Sequence, residues 1–395
     1  MKKAKSLVIL AGGKGSRISK YLKNMPKPMA KFNNFHFFDF LIKNFSKYDF
    51  KKIYILTFYR YKVIHKKFHK KKYNFVEINC VKEKKAMGTG GALYFLKNKI
   101  KEDFILINGD TIFDININEL IRGLNKNSLG AIALIKKDHL NNSHKLNELS
   151  LKEKKIFFKK NGKLINGGIY FFRRKIFKYI KNIPSSLEND ILPNLIEKRF
   201  IQGKIFDNFF LDIGSPKNFL ISSRKLFNYF HRPAVFLDRD GVINYDYGYV
   251  HKFKDFKLRK NVKKSLEILM KKNYYVFIVT NQAGIAKGFY KEIDFENLQK
   301  KIKTFFSKKE IFFNEVQFAP FHREGIIKKY KKDSSLRKPG NLMIKNIFKN
   351  WHIKKNKSFM IGDKISDKKA AKKSGLYFEY AKNDLFLQIK KLIKN

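Results

Sequence analysis

Asp238 and Asp240 stand one residue apart in the run VFLDRDGVI, residues 235–243, and a glycine follows them. Apolar residues lead into the pair, so the stretch reads as a buried strand carrying two carboxylates at its C-terminal tip. Open parallel sheets hold their ligands at that edge. One carboxylate can attack phosphorus, and the other, pointing to the same side, can move a proton. A blander reading is a strand followed by an Asx-type turn. Three later stretches weigh against it. YYVFIVTNQ at 274–282 is a strand ending in Thr280 and Asn281, and LRKPG at 336–340 offers Arg337 and Lys338. SFMIGDKISD at 358–367 is a strand ending in Asp363, with Asp367 four residues on.

A second set of chemical groups lies nearer the N-terminus. SLVIL at 6–10 reads as a buried strand, and AGGKGSR follows at 11–17. Gly12, Gly13 and Gly15 let the backbone approach a phosphate, and successive N–H groups form an anion nest. Lys14 and Arg17 add positive charge, and MPKPM at 25–29 places Lys27 between two prolines. Residues 35–45 read as a helix, KKIYILTF at 51–58 as a strand, and MGTGGAL at 87–93 as a glycine turn entering a helix. DFILINGDTIF at 103–113 is an apolar strand ending in Asp110, a position suited to Mg²⁺ held together with nucleotide phosphates. NGGIYFF at 166–172 is another strand, and FLDIGSP at 210–216 supplies Asp212.

These sets need two scaffolds. A chain of 395 residues is too long for one ordinary domain. Residues 217–231 read as a closing amphipathic helix, and RPA at 232–234 as a short break. The expected domains are therefore 1–231 and 232–395, both α/β. Cys80 is the only cysteine, which excludes an internal disulfide and a cysteine-rich zinc site and points to a reducing cytoplasmic setting. The N-terminal apolar run is short and ends in glycines, so it reads as a strand rather than a signal peptide. No stretch reaches the ~20 apolar residues of a membrane helix. The formal net charge is +54, but of the 87 basic residues 75 are lysine and they are spread over the whole chain. Specific nucleic-acid binding would cluster them and favour arginine, so no specific nucleic-acid partner is expected.

The N-terminal elements, in their order and over about 220 residues, resemble the sugar-phosphate nucleotidyltransferases. That resemblance implies a Rossmann-like domain in which Ala11, Gly12, Gly13, Gly15, Gly88, Thr89 and Gly90 contact the nucleotide. Arg17 and Lys27 would neutralise phosphates, and Asp110 and Asp212 would hold Mg²⁺. LKEK at 151–154 would place Glu153 and Lys154 by the sugar phosphate, with Asn166 and Gly168 on the sugar-binding strand. SLEND at 186–190 supplies Glu188 and Asp190, which match a further element of the family. Within the family the heptose-1-phosphate guanylyltransferases are most similar. Mannose- and glucose-1-phosphate enzymes stay open as alternatives, as does the base of the NTP.

The second half resembles the haloacid-dehalogenase (HAD)-type phosphatases. By that resemblance it is a HAD-like doubly wound parallel sheet in which Asp238 is the nucleophile and Asp240 the acid/base. Asp238, Asp363 and the backbone carbonyl of Asp240 would hold Mg²⁺, and Thr280, Arg337 and Lys338 would donate to the phosphoryl group. DRDGVIN, DYGYV at 246–250, TNQAGIAKG at 280–288 and RKP at 337–339 are most similar to the heptose 1,7-bisphosphate 7-phosphatases. Asp246, Tyr247, Gly248 and Tyr249 would then contact substrate, together with Thr280, Asn281, Gln282 and Ala283. Histidinol-phosphate phosphatases remain an alternative. Relatives often carry a zinc loop; here Ala319, Phe321, Ser334 and Leu336 stand where ligands would be, leaving His322 alone. No zinc is expected, with residues 324–335 mobile and the loop held by packing. The two halves together imply a bifunctional enzyme taking sugar phosphates and an NTP. A basic nucleic-acid-binding protein on a degenerate enzyme scaffold is the reading of a different class.

Overall fold

The strands form where the sequence is continuously apolar, as strands covered on both faces must be. The computed structural model describes residues 4–139, 148–181 and 183–394. The chain divides into two compact units, Met1–Phe45 with Phe50–Leu226, and Ser46–Asp49 with Phe227–Asn395. The division falls inside the helix Pro216–Phe230, just before the expected break at Arg232.

The first unit is built on one ten-stranded sheet. Its strands in chain order are β1 (Ser6–Ala11), β2 (Lys52–Thr57), β3 (Lys72–Tyr73), β4 (Val76–Lys82), β5 (Phe104–Asn108), β6 (Gly130–Lys136), β7 (Leu149–Lys152), β8 (Lys155–Phe158), β9 (Leu164–Phe172) and β10 (Ile201–Ile205). The sheet order is β7-β8-β10-β6-β9-β5-β1-β2-β4-β3. The centre is parallel: β1 pairs with β2 and β5, and β2 with β4. Strand β9 runs antiparallel to β5 and β6, with a register shift between Asn166 and Tyr170 at the Gly167–Gly168 pair. A two-stranded ribbon pairs Thr111–Phe113 with Phe210–Asp212, setting Asp212 opposite Thr111. The core on one face packs Phe104, Leu106, Tyr170, Phe172 and Phe177.

The second unit has one five-stranded, all-parallel sheet made of β11 (Ala234–Leu237), β12 (Tyr275–Asn281), β13 (Glu315–Ala319), β14 (Phe359–Gly362) and β15 (Tyr377–Tyr380). The order is β13-β12-β11-β14-β15. The first strand of the unit is therefore the central one, flanked by the strands that end in Thr280–Asn281 and Asp363. One face packs on Leu266, Leu298, Ile302 and Phe306, the other on Ile344, Ile347 and Trp351. Among the described residues no helix is long and apolar enough to cross a membrane.

Phe104 is fully buried and packs its ring against Phe172 and Phe177, with centroids 5.9 and 5.6 Å away. Phe104→Ala should destabilise the first unit by about 3–5 kcal/mol. A urea melt would show this as a lower midpoint at unchanged slope.

Candidate active sites

In the first unit, β5 runs through Gly109 into Asp110. A side chain at Gly109 would collide with the Leu10 carbonyl, so the turn needs glycine there. The short turn Lys27–Met29 brings the Lys27 ammonium to 2.5 Å from Asp110 Oδ2. The ribbon holds Asp212 alongside, with the Ile213 N–H donating to the Asp110 carbonyl at 3.0 Å. Burial, and then the facing charge of Asp110, push the Asp212 carboxyl up to about 6, against the Gly214 N–H, Lys27 and Arg17. A Cβ on Gly214 would lie 3.3 Å from Lys27 Nζ and 3.4 Å from Arg17 Nη2. Two carboxylates and two cations thus converge at one strand tip. The donor set, paired oxygens of which one resists ionisation, fits a hard divalent cation.

Beside this cluster opens a cavity of about 430 Å³. Ala11, Gly12, Gly13, Gly15, Gly88, Thr89, Lys27 and Asp110 line it, as do Phe58, Glu83, Met87, Asn108 and Glu188. Gly88 has φ +73°, and a Cβ there would sit 2.3 Å from the Ser185 carbonyl oxygen, so only glycine allows this wall. Gly90 is absent from the lining. It is buried, its N–H donates to Ser185 O at 2.9 Å, and its role is close packing against Ser185 and Ile191. Thr89 donates its hydroxyl to Glu188 Oε2 at 2.6 Å, which ties the glycine turn to the SLEND segment. Asn166 donates to the Tyr170 hydroxyl and accepts from the Gly168 N–H, and Gly168 packs on Asn108.

Glu153 and Lys154 do not join this site. They form the turn of the β7–β8 hairpin, where Lys155 pairs with Gln202 of β10. Gln202 lies in register with Ala131 of β6 and, through Phe171, with Ile105 of β5. That is the beginning of β5, at the opposite end of the sheet from Asp110. Lys154 Nζ donates to the Gly123 carbonyl instead. The motif has the family's residue types, but the hairpin register separates them from the carboxylates.

In the second unit, β11, β12 and β14 end side by side and deliver Asp238, Thr280 and Asp363 to one edge. Lys338 is buried, with Nζ 2.9 Å from Asp238 Oδ2, 2.6 Å from Asp367 Oδ1 and 2.8 Å from the Val279 carbonyl. Burial alone would push this ammonium down; Asp238 and Asp367 outweigh it and hold Lys338 above the ordinary lysine range. Burial in turn pushes Asp238 up to about 7, opposed by Lys338 and reinforced by Asp367. Oxygens of Asp238, Asp363 and Asp367 lie within 4.8 Å of one another. Asp367 is already engaged by Lys338 and, through Oδ2, by the Lys364 N–H. Asp363 Oδ1 is buried and has no hydrogen-bond partner. That orphaned oxygen beside Asp238 fits a divalent cation. Gly241, at φ +85°, is required because a Cβ there would meet Asp363 Oδ2 at 2.3 Å.

Asp240 is held by donors on every side. Arg239, itself fully buried, reaches it with Nε and Nη2, Asn244 Nδ2 at 2.9 Å, and Gln282 Nε2 at 3.1 Å. Two residues expected at the substrate turn out to face inward. Asn281 clamps the Lys338 backbone, donating to its carbonyl at 3.0 Å and accepting from its N–H at 2.9 Å. Gln282 is buried with both ends of its amide engaged. Ala283 starts a short helix and is partly buried. Tyr247, Gly248 and Tyr249 are exposed, and Asp246 pairs with Lys364 at 3.0 Å. Arg337 is directed to the Phe321 carbonyl at 3.4 Å rather than to Asp238.

The segment 324–335, expected to be mobile, is tied down. Ile326 and Ile327 both donate their N–H to the Ala286 carbonyl, at 2.8 and 3.0 Å. The Tyr330 hydroxyl donates to Glu292 at 2.5 Å, and the Tyr330 carbonyl accepts from the His322 N–H. Amides and a phenol close the loop. Glu83, Arg239, Tyr290 and the pairing of Asp367 with Lys338 were beyond the sequence. Glu83 is one acid in the lysine-rich run VKEKKAM, and no residue type marks it as facing a cavity.

Removing the ammonium should expose how the second site is built. Lys338→Met leaves two buried carboxylates facing each other, and breaking such a pair costs about 3–5 kcal/mol. Thermal unfolding of the second unit should move down accordingly, and Asp367→Asn in the same background should restore part of the loss.

Residues 6–228 match the family described as "Nucleotidyl transferase", and residues 238–387 the family described as "Polynucleotide kinase 3 phosphatase". The first half is 32% identical over 216 residues to a D-glycero-alpha-D-manno-heptose 1-phosphate guanylyltransferase of Campylobacter jejuni, covering 54% of this chain and 96% of that protein. The second half is 36% identical over 163 residues to a D-glycero-beta-D-manno-heptose-1,7-bisphosphate 7-phosphatase of Rhodopseudomonas palustris, covering 41% of this chain and 91% of that protein. A UTP-bound UGPase structure from Acinetobacter baumannii superposes with a TM-score of 0.50 at 16% identity, covering 57% of this chain and 93% of that one, a likeness of fold alone. The chain therefore belongs, in its first half, to the nucleotidyl transferase family with the heptose 1-phosphate guanylyltransferases and, in its second, to the heptose-1,7-bisphosphate 7-phosphatases.

Proposed function

We propose that the chain carries out two consecutive steps of nucleotide-activated heptose synthesis, for lipopolysaccharide or another surface glycan. The second unit removes the 7-phosphate of a heptose 1,7-bisphosphate, and the first joins the resulting heptose 1-phosphate to a nucleotide. The observation that carries this reading is the division of one chain between two relatives whose names describe a reaction and the reaction that uses its product. Those names carry opposite anomers, β and α. Consecutive action requires one anomer at both sites, and we take it to be the α-anomer of the guanylyltransferase.

At the second site Asp238 attacks phosphorus, forming an aspartyl-phosphate as the bond to the sugar oxygen breaks. Asp240 gives a proton to that oxygen and then takes one from the water that releases phosphate. Lys338 and the Thr280 hydroxyl stabilise the phosphoryl oxygens. Mg²⁺ held by Asp238, Asp363 and the Asp240 carbonyl would offset the repulsion between carboxylate and phosphate. At the first site the sugar 1-phosphate oxygen attacks the α-phosphorus of the NTP and pyrophosphate leaves. Arg17 and Lys27 neutralise charge there, and Asp110 and Asp212 would hold Mg²⁺.

Glu83 supports GTP as the nucleotide. Its side chain is buried in the cavity wall, and burial pushes its carboxyl up to about 7. Gly12 makes room for it, since a Cβ there would lie 2.6 Å from Glu83 Oε1. An ionised carboxylate offers two adjacent acceptors, matching the N1–H and 2-amino donors of guanine. Uracil and thymine present one N–H between two carbonyls and would be repelled.

The decisive assay supplies each anomer of the bisphosphate with GTP and Mg²⁺. Phosphate followed by GDP-heptose is expected. Phosphate release with no nucleotide-sugar from either anomer would end the bifunctional reading. In Asp238→Asn, phosphate release should vanish while nucleotidyl transfer from heptose 1-phosphate persists.

The base reading has its own test. Because the neutral acid is favoured below about 7 and loses one acceptor, the KM for GTP should rise as pH falls through 7. Glu83→Gln should raise that KM by about 10-fold or more, flatten its pH dependence and improve use of UTP or dTTP. An unchanged base preference would remove Glu83 from the base site.

A further inference from the structure

Gln282 is buried and touches three groups at once. Its Nε2 donates to Asp240 Oδ2 at 3.1 Å and to Thr280 Oγ1 at 2.8 Å, while its Oε1 accepts from the Tyr290 hydroxyl at 2.6 Å. A carboxylate can only accept, so the amide must turn its nitrogen toward Asp240. The oxygen then faces away and needs a donor. Tyr290 is that donor. Its hydroxyl is buried, and burial, more than the nearby Asp240, holds it far above the ordinary tyrosine range, so it keeps its proton at any working pH. The ring has little freedom. His251 stacks on it at 4.7 Å and 9°, and a Cβ on Gly284 would meet it at 2.3 Å.

We propose that Tyr290 is a positioning residue for phosphoryl transfer, acting through Gln282 on Asp240 and Thr280. With Oε1 pinned by Tyr290, one N–H steadies the Asp240 carboxylate at Oδ2. The other occupies a lone pair of the Thr280 hydroxyl, so the Thr280 proton is left free to point at the phosphoryl group. Without Tyr290 the Gln282 oxygen loses its phenol donor, and the amide, held only from its nitrogen end, no longer fixes its two N–H groups on Asp240 and Thr280. This inference rests on the phosphatase reading of the site.

The test is a double-mutant cycle of Tyr290→Phe and Gln282→Met in the full chain. Each protein is assayed for kcat/KM on the heptose bisphosphate and on p-nitrophenyl phosphate, whose leaving group needs no proton. Tyr290→Phe is expected to melt within a few degrees of the parent. It should lose about 10-fold on the alkyl phosphate and several-fold less on the aryl one. In the Gln282→Met background the same change should add almost nothing. Losses that add across the cycle would assign Tyr290 a packing role and overturn the proposal; equal losses on both substrates, which take Asp240 out of it, or a wild-type rate in Tyr290→Phe would overturn it too. If Tyr290→Phe fails to fold, the substrate ratio of Gln282→Met decides: a ratio unchanged from the parent overturns it. No phosphate release by the parent chain from either substrate would instead overturn the phosphatase reading itself, and release surviving Asp238→Asn would overturn only the assignment of Asp238 as nucleophile.

Discussion

A lysine ammonium set against an aspartate at the tip of a buried strand is the constraint on which both units turn. Lys27 stands 2.5 Å from Asp110, and Lys338 stands 2.9 Å from Asp238. At Asp238 the carboxylate has to act ionised although burial disfavours its charge, and in both units the carboxylate must stay available to a phosphate that is itself anionic. A fixed cation at the strand tip meets both needs. It also explains the rigidity of the segments that carry it. Lys27 follows Pro26 in a tight turn, and the backbone of Lys338 is gripped by both ends of the Asn281 amide.

The two units differ in how the remaining charge is balanced. In the first, Asp212 is left with a weak hold on its ionised form, since its strongest neighbours are burial and Asp110. In the second, Asp367 shares Lys338 with the nucleophile, and Asp363 keeps an oxygen with no partner. The large net positive charge contributes little to either balance directly. What matters is the handful of cations whose heads are buried with the acids; the exposed lysines serve the long-range field that draws in anionic substrates.

The chemistry at strand tips was readable because it follows from one rule: an apolar run ending in an acid places that acid at the ligand edge of a parallel sheet. Asp110, Asp238 and Asp363 all obey it, and the strand order puts them where that rule requires. Contacts made across the sheet were not readable in this way. The side chain of Gln282 lies two residues from Thr280, and types alone cannot say whether it meets substrate or turns inward; Tyr290 decides that from eight residues away. Glu153 and Lys154 had the right types in the right order, yet hairpin pairing sends them to the far end of β5. Register is a long-range property, and a short motif carries no information about it.

The closed loop at 319–337 has one more consequence. Where thiolates and zinc would hold such a segment, its closure would depend on metal supply and redox state. Here Tyr330, Glu292 and the Ala286 carbonyl hold it, and the single thiol of the chain, Cys80, is buried in another strand with its pKa pushed up to about 12. Neither site presents a thiolate to an oxidant. Phosphate release by this chain should therefore continue under peroxide or zinc starvation that would silence a thiolate-closed loop.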